Sequence, residues 1–118
     1  MTEREMLEFA AKAAGYYVIS YVEPGTAYYK VVGEKSGLEL RAFRQIWNSL
    51  TDDGDAQRLA VKLGLLVYVM LDAGFTGIRL PGEHIGGKYD VVQTHDGDPY
   101  AATRRAITRA AAIGEKIP

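Results

Sequence analysis

A chain of 118 residues is expected to form one domain, spanning 1–118, with a hydrophobic core that needs no staples. Hydrophobic residues at 47% and charged residues at 25% place it among folded globular proteins, and the absence of cysteine excludes disulfides, thiolate nucleophiles and cysteine-held zinc or iron–sulfur sites. A formal net charge of -1 gives no overall attraction for nucleic acid and too little negative charge to imitate it.

The first element in chain order is a helix. Thr2-Glu3-Arg4-Glu5 reads as a capping box, Met6, Phe9, Ala10 and Ala13 as an apolar stripe, and Gly15 as its end. This polar, acidic start lacks the basic and apolar segments of a signal peptide, and no later run is long and apolar enough to span a membrane, so the expected location is the cytoplasm. Tyr16–Val22 and Ala27–Val32, rich in aromatic and β-branched residues around Glu23-Pro24-Gly25-Thr26, predict a β-hairpin. Between Gly33 and Ile46 the loose alternation of Leu38, Leu40 and Phe43 fits either a short strand or an irregular loop.

The run Trp47–Gly64 combines an aromatic anchor, an acidic helix start and an amphipathic helix. Thr51, Asp52 and Asp53 can accept from the free amides of a first helical turn and meet the positive end of its dipole. Ala56, Leu59, Ala60 and Leu63 share one face, Gly64 sits at a left-handed cap, and Asn48 and Ser49 read as turn residues after Trp47. Asp52, Asp53 and Asp55 also invite a reading as a carboxylate cation site. A calcium loop counted from Asp53 reaches Gly64 where its closing glutamate belongs, so capping is preferred and no metal site is assigned.

Leu65–Leu71 is apolar on both faces and predicts a central strand covered on both sides, or one that meets a partner. Phe75–Leu80 and Lys88–Gln93 add two strands around the Pro81–Gly87 loop. Asp98-Pro99 then announces the last helix, with Ala102, Ala106, Ile107, Ala110 and Ile113 inward and Arg104, Arg105, Arg109 and Lys116 mostly outward. The expected fold is α+β, a layered sandwich of three helices on a mainly antiparallel sheet of about five strands.

Trp47–Gly64, together with Asp98–Ile107 and the alanine-rich tail after it, resembles small proteins of tailed phages and prophages of proteobacteria, akin to the phage α-β-α (ABA) sandwich proteins. Those segments cover about a quarter of the chain and contain no catalytic motif. The resemblance implies a phage or prophage origin, a host-cell cytoplasmic location and a layered fold. It supplies no site residues.

Candidate functional residues are few. His84 and His95 lie in or beside loops where they could titrate or bind metal, but His95-Asp96-Gly97-Asp98 is explained by a turn leading into a helix cap. The Pro81–Lys88 loop lacks the spacing and strand-to-helix context of a phosphate loop. Arg104, Arg105 and Arg109 share one helix and could track phosphates, and Arg79, Lys88 and Arg104 could serve a nucleotide's phosphates. The clearest surplus is tyrosine: five of the eight, Tyr16, Tyr17, Tyr21, Tyr28 and Tyr29, fall in the first hairpin, and adjacent pairs on a strand cannot all enter one core. They fit equally a twisted hairpin with tyrosines along its edges and an interface. With no catalytic constellation and no cofactor expected, the leading expectation is a non-catalytic binding protein that inhibits a host protein, in its most specific form one of bacterial defence. Homodimer formation is a further expectation. The alternatives are a protein that sequesters a nucleotide signal and, below it, a weak nucleic-acid-binding module.

Overall fold

The computed structural model describes residues 2–23, 26–31, 45–82 and 88–116, with backbone pairing alone described at 17–31 and 45–46. The described elements run α1 (Glu3–Ala13), β1 (Tyr16–Glu23), β2 (Thr26–Val31), β3 (Gln45–Trp47), α2 (Asp53–Leu63), β4 (Leu66–Met70), β5 (Phe75–Arg79), β6 (Val91–Thr94) and α3 (Pro99–Lys116).

The α+β class and its three helices agree with expectation, but among the described residues a single sheet of about five strands does not form. Strands β1-β2-β3 and β4-β5-β6 make two separate three-stranded antiparallel sheets. The division falls at α2, which carries the chain away after β3 and returns it to pair β4 with β5. Each sheet is therefore a meander that follows a helix, and α3 closes the sequence.

Helix ends form where side-chain chemistry places them. Thr2 accepts from the Glu5 amide at 3.1 Å while the Glu5 carboxylate receives the Thr2 amide, completing the capping box. Asp52 caps α2 by accepting from the Asp55 amide at 2.9 Å, and Gly64 ends it at φ 66, a left-handed conformation that suits glycine. Asp98 accepts from the Ala101 amide at 3.0 Å with Pro99 in the first helical position. Asp96 and Gly97 both have positive φ, and the Asp98 amide donates to the His95 carbonyl at 3.0 Å, so this turn aims the chain from β6 into α3.

The core centres on α3. Ala106, Ile107, Thr108, Ala110, Ala111 and Ala112 are all buried, more of the circumference than one apolar stripe, because α1, α2 and the β4–β6 sheet surround the helix. Alanine on both sides, with Ala10, Ala11 and Ala14 on α1, lets the helix axes approach closely. The buried face of α1 is centred on Met6, Leu7, Ala10 and Ala11 and continues into the buried C-cap Ala14, with Phe9 and Ala13 only half-buried. Leu59 and Ile78 fill the space between the layers, each contributing about 1.5–3 kcal/mol by burial.

The expectation of a covered central strand at Leu65–Leu71 is overturned. Strand β4 stands at the edge of its sheet, and Leu66, Tyr68, Val69, Met70 and Leu71 are exposed. Helix α3 crosses the sheet beneath β5 and β6, which leaves β4 outside its cover. No helix of the described residues is long and apolar enough to cross a membrane.

Candidate functional site

The β4–β6 sheet has two unlike faces because side chains alternate along each strand. Thr76 and Ile78 of β5 and Val91 of β6 turn toward α3 and are buried. On the opposite face the register aligns Leu66 with Arg79, Tyr68 with Gly77 and Met70 with Phe75, and then Gly77 with Val92. Leu66, Tyr68, Met70 and Val92 are exposed there.

A ring cluster organises this outer face. Tyr89, just before β6, lies over Gly77 so closely that a β-carbon at 77 would stand 2.6 Å from ring carbons. Its centroid is 5.4 Å from that of Tyr68 and 5.7 Å from that of Phe75, at tilted and edge-on angles. Two hydrogen bonds fix the backbone beside Tyr89: the Asp90 amide donates to the Ile78 carbonyl at 2.8 Å, and the Asp90 carboxylate accepts from the Leu80 amide at 2.7 Å. Glycine inside a strand signals close approach by another group, the one sequence cue that could have located this cluster.

On the helix side, a groove of about 550 Å³ runs between β4 and α2. Val67, Val69 and Leu71 form one wall, Ala56 and Ala60 the other, and Ile107 lies at its base. Arg104 stands at its rim, already engaged: its Nε donates to the Leu50 carbonyl at 2.9 Å and a terminal nitrogen donates to Asp53 at 2.7 Å.

The structure disperses the basic residues that the sequence groups. Arg104 turns to α2 through Asp53, Arg105 pairs with Glu3 of α1 at 2.9 Å, and Arg109 reaches β6 through the Gln93 side chain at 2.9 Å. All three are half-buried rather than facing outward. Arg79 lies in the outer-face row beside Leu66, and its Nε is buried with no hydrogen-bond partner among the described residues. Lys88 is exposed next to Tyr89.

Each carboxylate of the acidic cluster has a protein partner. Asp52 caps α2, Asp53 holds Arg104, and the buried Asp55 accepts from the Asn48 amide at 3.0 Å and from Arg58 at 2.7 Å. The hydrogen bond that Arg58 donates to Asp55, helped by the negative charges of Asp55 and Asp52, outweighs desolvation and raises the Arg58 pKa above its ordinary value. Among the described residues no group of three or more potential ligands is arranged to hold a metal.

His95 is buried, with Nε2 2.9 Å from the Thr76 hydroxyl, which lies 2.8 Å from that of Thr103. This polar cluster ties β5, the α3 approach and α3 together. His84 falls outside the described residues. Of the hairpin tyrosines, Tyr16 is half-buried, edge-on to Trp47 at 5.7 Å and beneath the Lys62 ammonium at 5.4 Å. The side chains of Tyr17, Tyr21, Tyr28 and Tyr29 lie outside the described residues.

No known family profile, curated protein or solved structure matches the chain.

Proposed function

We propose that the protein acts by binding a macromolecular partner, without chemistry of its own, and that the open face of the β4–β6 sheet is a main contact surface. The observation that carries this reading is the ring cluster of Tyr68, Tyr89 and Phe75 with Leu66, Met70 and Val92 exposed around it. Tyrosine, phenylalanine and methionine are the side chains that interface centres favour, and rings already held against Gly77 lose little freedom on binding.

In its fuller form, which rests on the sequence resemblance, the chain is a phage or prophage accessory protein of the host cytoplasm. Its partner is then a host protein, such as a component of bacterial defence, that it inhibits. The hairpin tyrosines Tyr17, Tyr21, Tyr28 and Tyr29 add a second contact surface in this reading. Nucleotide sequestration draws less support, since Arg104 at the groove is taken up by Asp53 and the Leu50 carbonyl.

The test is capture from a bacterial host lysate by three tagged proteins: wild type, a Tyr68→Ser/Met70→Ser double variant and a Val61→Ser control on the exposed side of α2. A partner retained by wild type and control and weakened at least about 10-fold by the double variant supports the reading, since central interface side chains each carry ~1–2 kcal/mol or more. Equal retention by all three sinks the sheet-face assignment.

A further inference from the structure

We propose that the edge of β4 docks a second copy of this chain. The two β4 strands pair antiparallel about a two-fold axis, joining the three-stranded sheets into one of six strands and closing the groove beside α2.

Three observations select this occupant. The first is the concentration of exposed apolar side chains. Of the eight large hydrophobic residues exposed among those described, five are Leu66, Tyr68, Val69, Met70 and Leu71, and a sixth, Tyr100, lines the groove. The exposed parts of the five, shared between the two faces of the strand, amount to roughly 400 Å², at the scale of a functional patch and about half of the ~800 Å² that each partner buries in a standard interface, so the expected dimer is a weak one.

The second is self-complementarity. Edge strands are ordinarily guarded by charge, proline or a bulge, and Leu63–Leu71 contains no charged residue and no proline, while the β4–β5 register is unbroken. Any antiparallel register between two copies within Leu66–Leu71 therefore sets apolar residues opposite apolar residues. A two-fold contact requires such a self-matching patch.

The third is charge at the ends of the run. Lys62 precedes it and Asp72 follows it. Antiparallel pairing keeps the two Asp72 carboxylates apart and turns each toward the α2 end of the other copy, which carries Lys62, whereas parallel pairing sets Asp72 beside Asp72.

Val69 faces the groove, away from the sheet face that carries Tyr68, so self-association and partner capture by that face are separable. The experiment is light scattering coupled to size exclusion at about 50 µM, above the micromolar Kd expected of the weaker interfaces of this size. Wild type is expected at twice the chain's 13.0 kDa. Val69→Lys, at a site already exposed in one copy, is expected at 13.0 kDa with an unchanged circular dichroism spectrum, its dimerisation weakened ~100-fold or more by two buried like charges. Mixing Val69→Lys with Val69→Glu is expected to restore the doubled mass. Wild type at 13.0 kDa, or a folded Val69→Lys protein still at twice that mass, overturns the proposal. Should Val69→Lys fail to fold, Leu71→Lys, at a site 67% exposed, carries the same test with the same outcomes.

Discussion

The ring of Tyr89 takes the place that a side chain at Gly77 would occupy, with only 2.6 Å between ring carbons and a β-carbon built there. A methyl group at 77 must lift that ring and disturb its contacts with Tyr68 and Phe75. Gly77→Ala is expected to lower stability by about 1–3 kcal/mol in a denaturant titration and to change the near-ultraviolet circular dichroism of the tyrosines. Tyr89→Phe keeps the ring and should leave the stability within about 0.5 kcal/mol, since only the phenolic tip is lost. An unaltered Gly77→Ala protein would show that the ring is not held there.

Ser49 and Thr108 meet through their hydroxyls at 2.7 Å in a site from which water is excluded. Thr108 already donates to the Arg104 carbonyl at 2.9 Å, so Ser49 is the donor between the two. Thr108→Val then strands the Ser49 hydroxyl hydrogen and is expected to cost about 1–3 kcal/mol, whereas Ser49→Ala leaves Thr108 its own donor bond and costs less. The double variant should lie well below the sum of the singles in equilibrium unfolding, because removing both partners leaves no orphaned donor. Simple additivity would contradict the assignment.

Asp55 separates a buried backbone contact from an exposed ionic one. Its carboxylate accepts from the Asn48 amide inside and from Arg58, whose side chain is 63% exposed, outside. Arg58→Ala is expected to cost under ~1 kcal/mol, as for most exposed pairs, and Asp55→Asn should stay near that value because its amide oxygen can still accept from Asn48. Asp55→Ala removes the acceptor that the buried Asn48 amide uses and is expected to cost about 1–3 kcal/mol, measured by thermal or urea unfolding. If Asp55→Asn proved as damaging as Asp55→Ala, charge rather than the Asn48 hydrogen bond would be the stabilising feature.

What the sequence made legible is local. Thr2 and Glu5, Asp98 and Pro99, and Gly64 at φ 66 act within four residues of themselves, where side-chain reach and backbone preference decide the outcome. Asn48 and Ser49 do form the expected turn, yet both are buried, because a distant element, α3, comes to lie over them. Leu65–Leu71 shows the limit most clearly. A run apolar on both faces describes a covered central strand and an unguarded edge strand equally, and only the position of α3 across β5 and β6 distinguishes them. The arginines of α3 are similar: their spacing places them on one helix, but Asp53, Glu3 and Gln93 draw them to three different neighbours.

Arg104 turns that last point into a measurement. Its guanidinium spans two acceptors at once, the Leu50 carbonyl and Asp53, and its side chain is only 18% exposed. A lysine carries the charge on a single ammonium and cannot reproduce this fork. Arg104→Lys is therefore expected to lose about 1–2 kcal/mol in denaturant unfolding, consistent with one lost hydrogen bond to a part-buried carbonyl. Because the guanidinium is already held by two protein acceptors and its charge is met by Asp53, inorganic phosphate should raise the melting temperature of wild type and Arg104→Lys equally or not at all, within the general effect of the salt. A rise confined to the wild type, joined to a structurally silent Arg104→Lys, would move Arg104 from the packing of α2 against α3 to the binding of an anion at the groove.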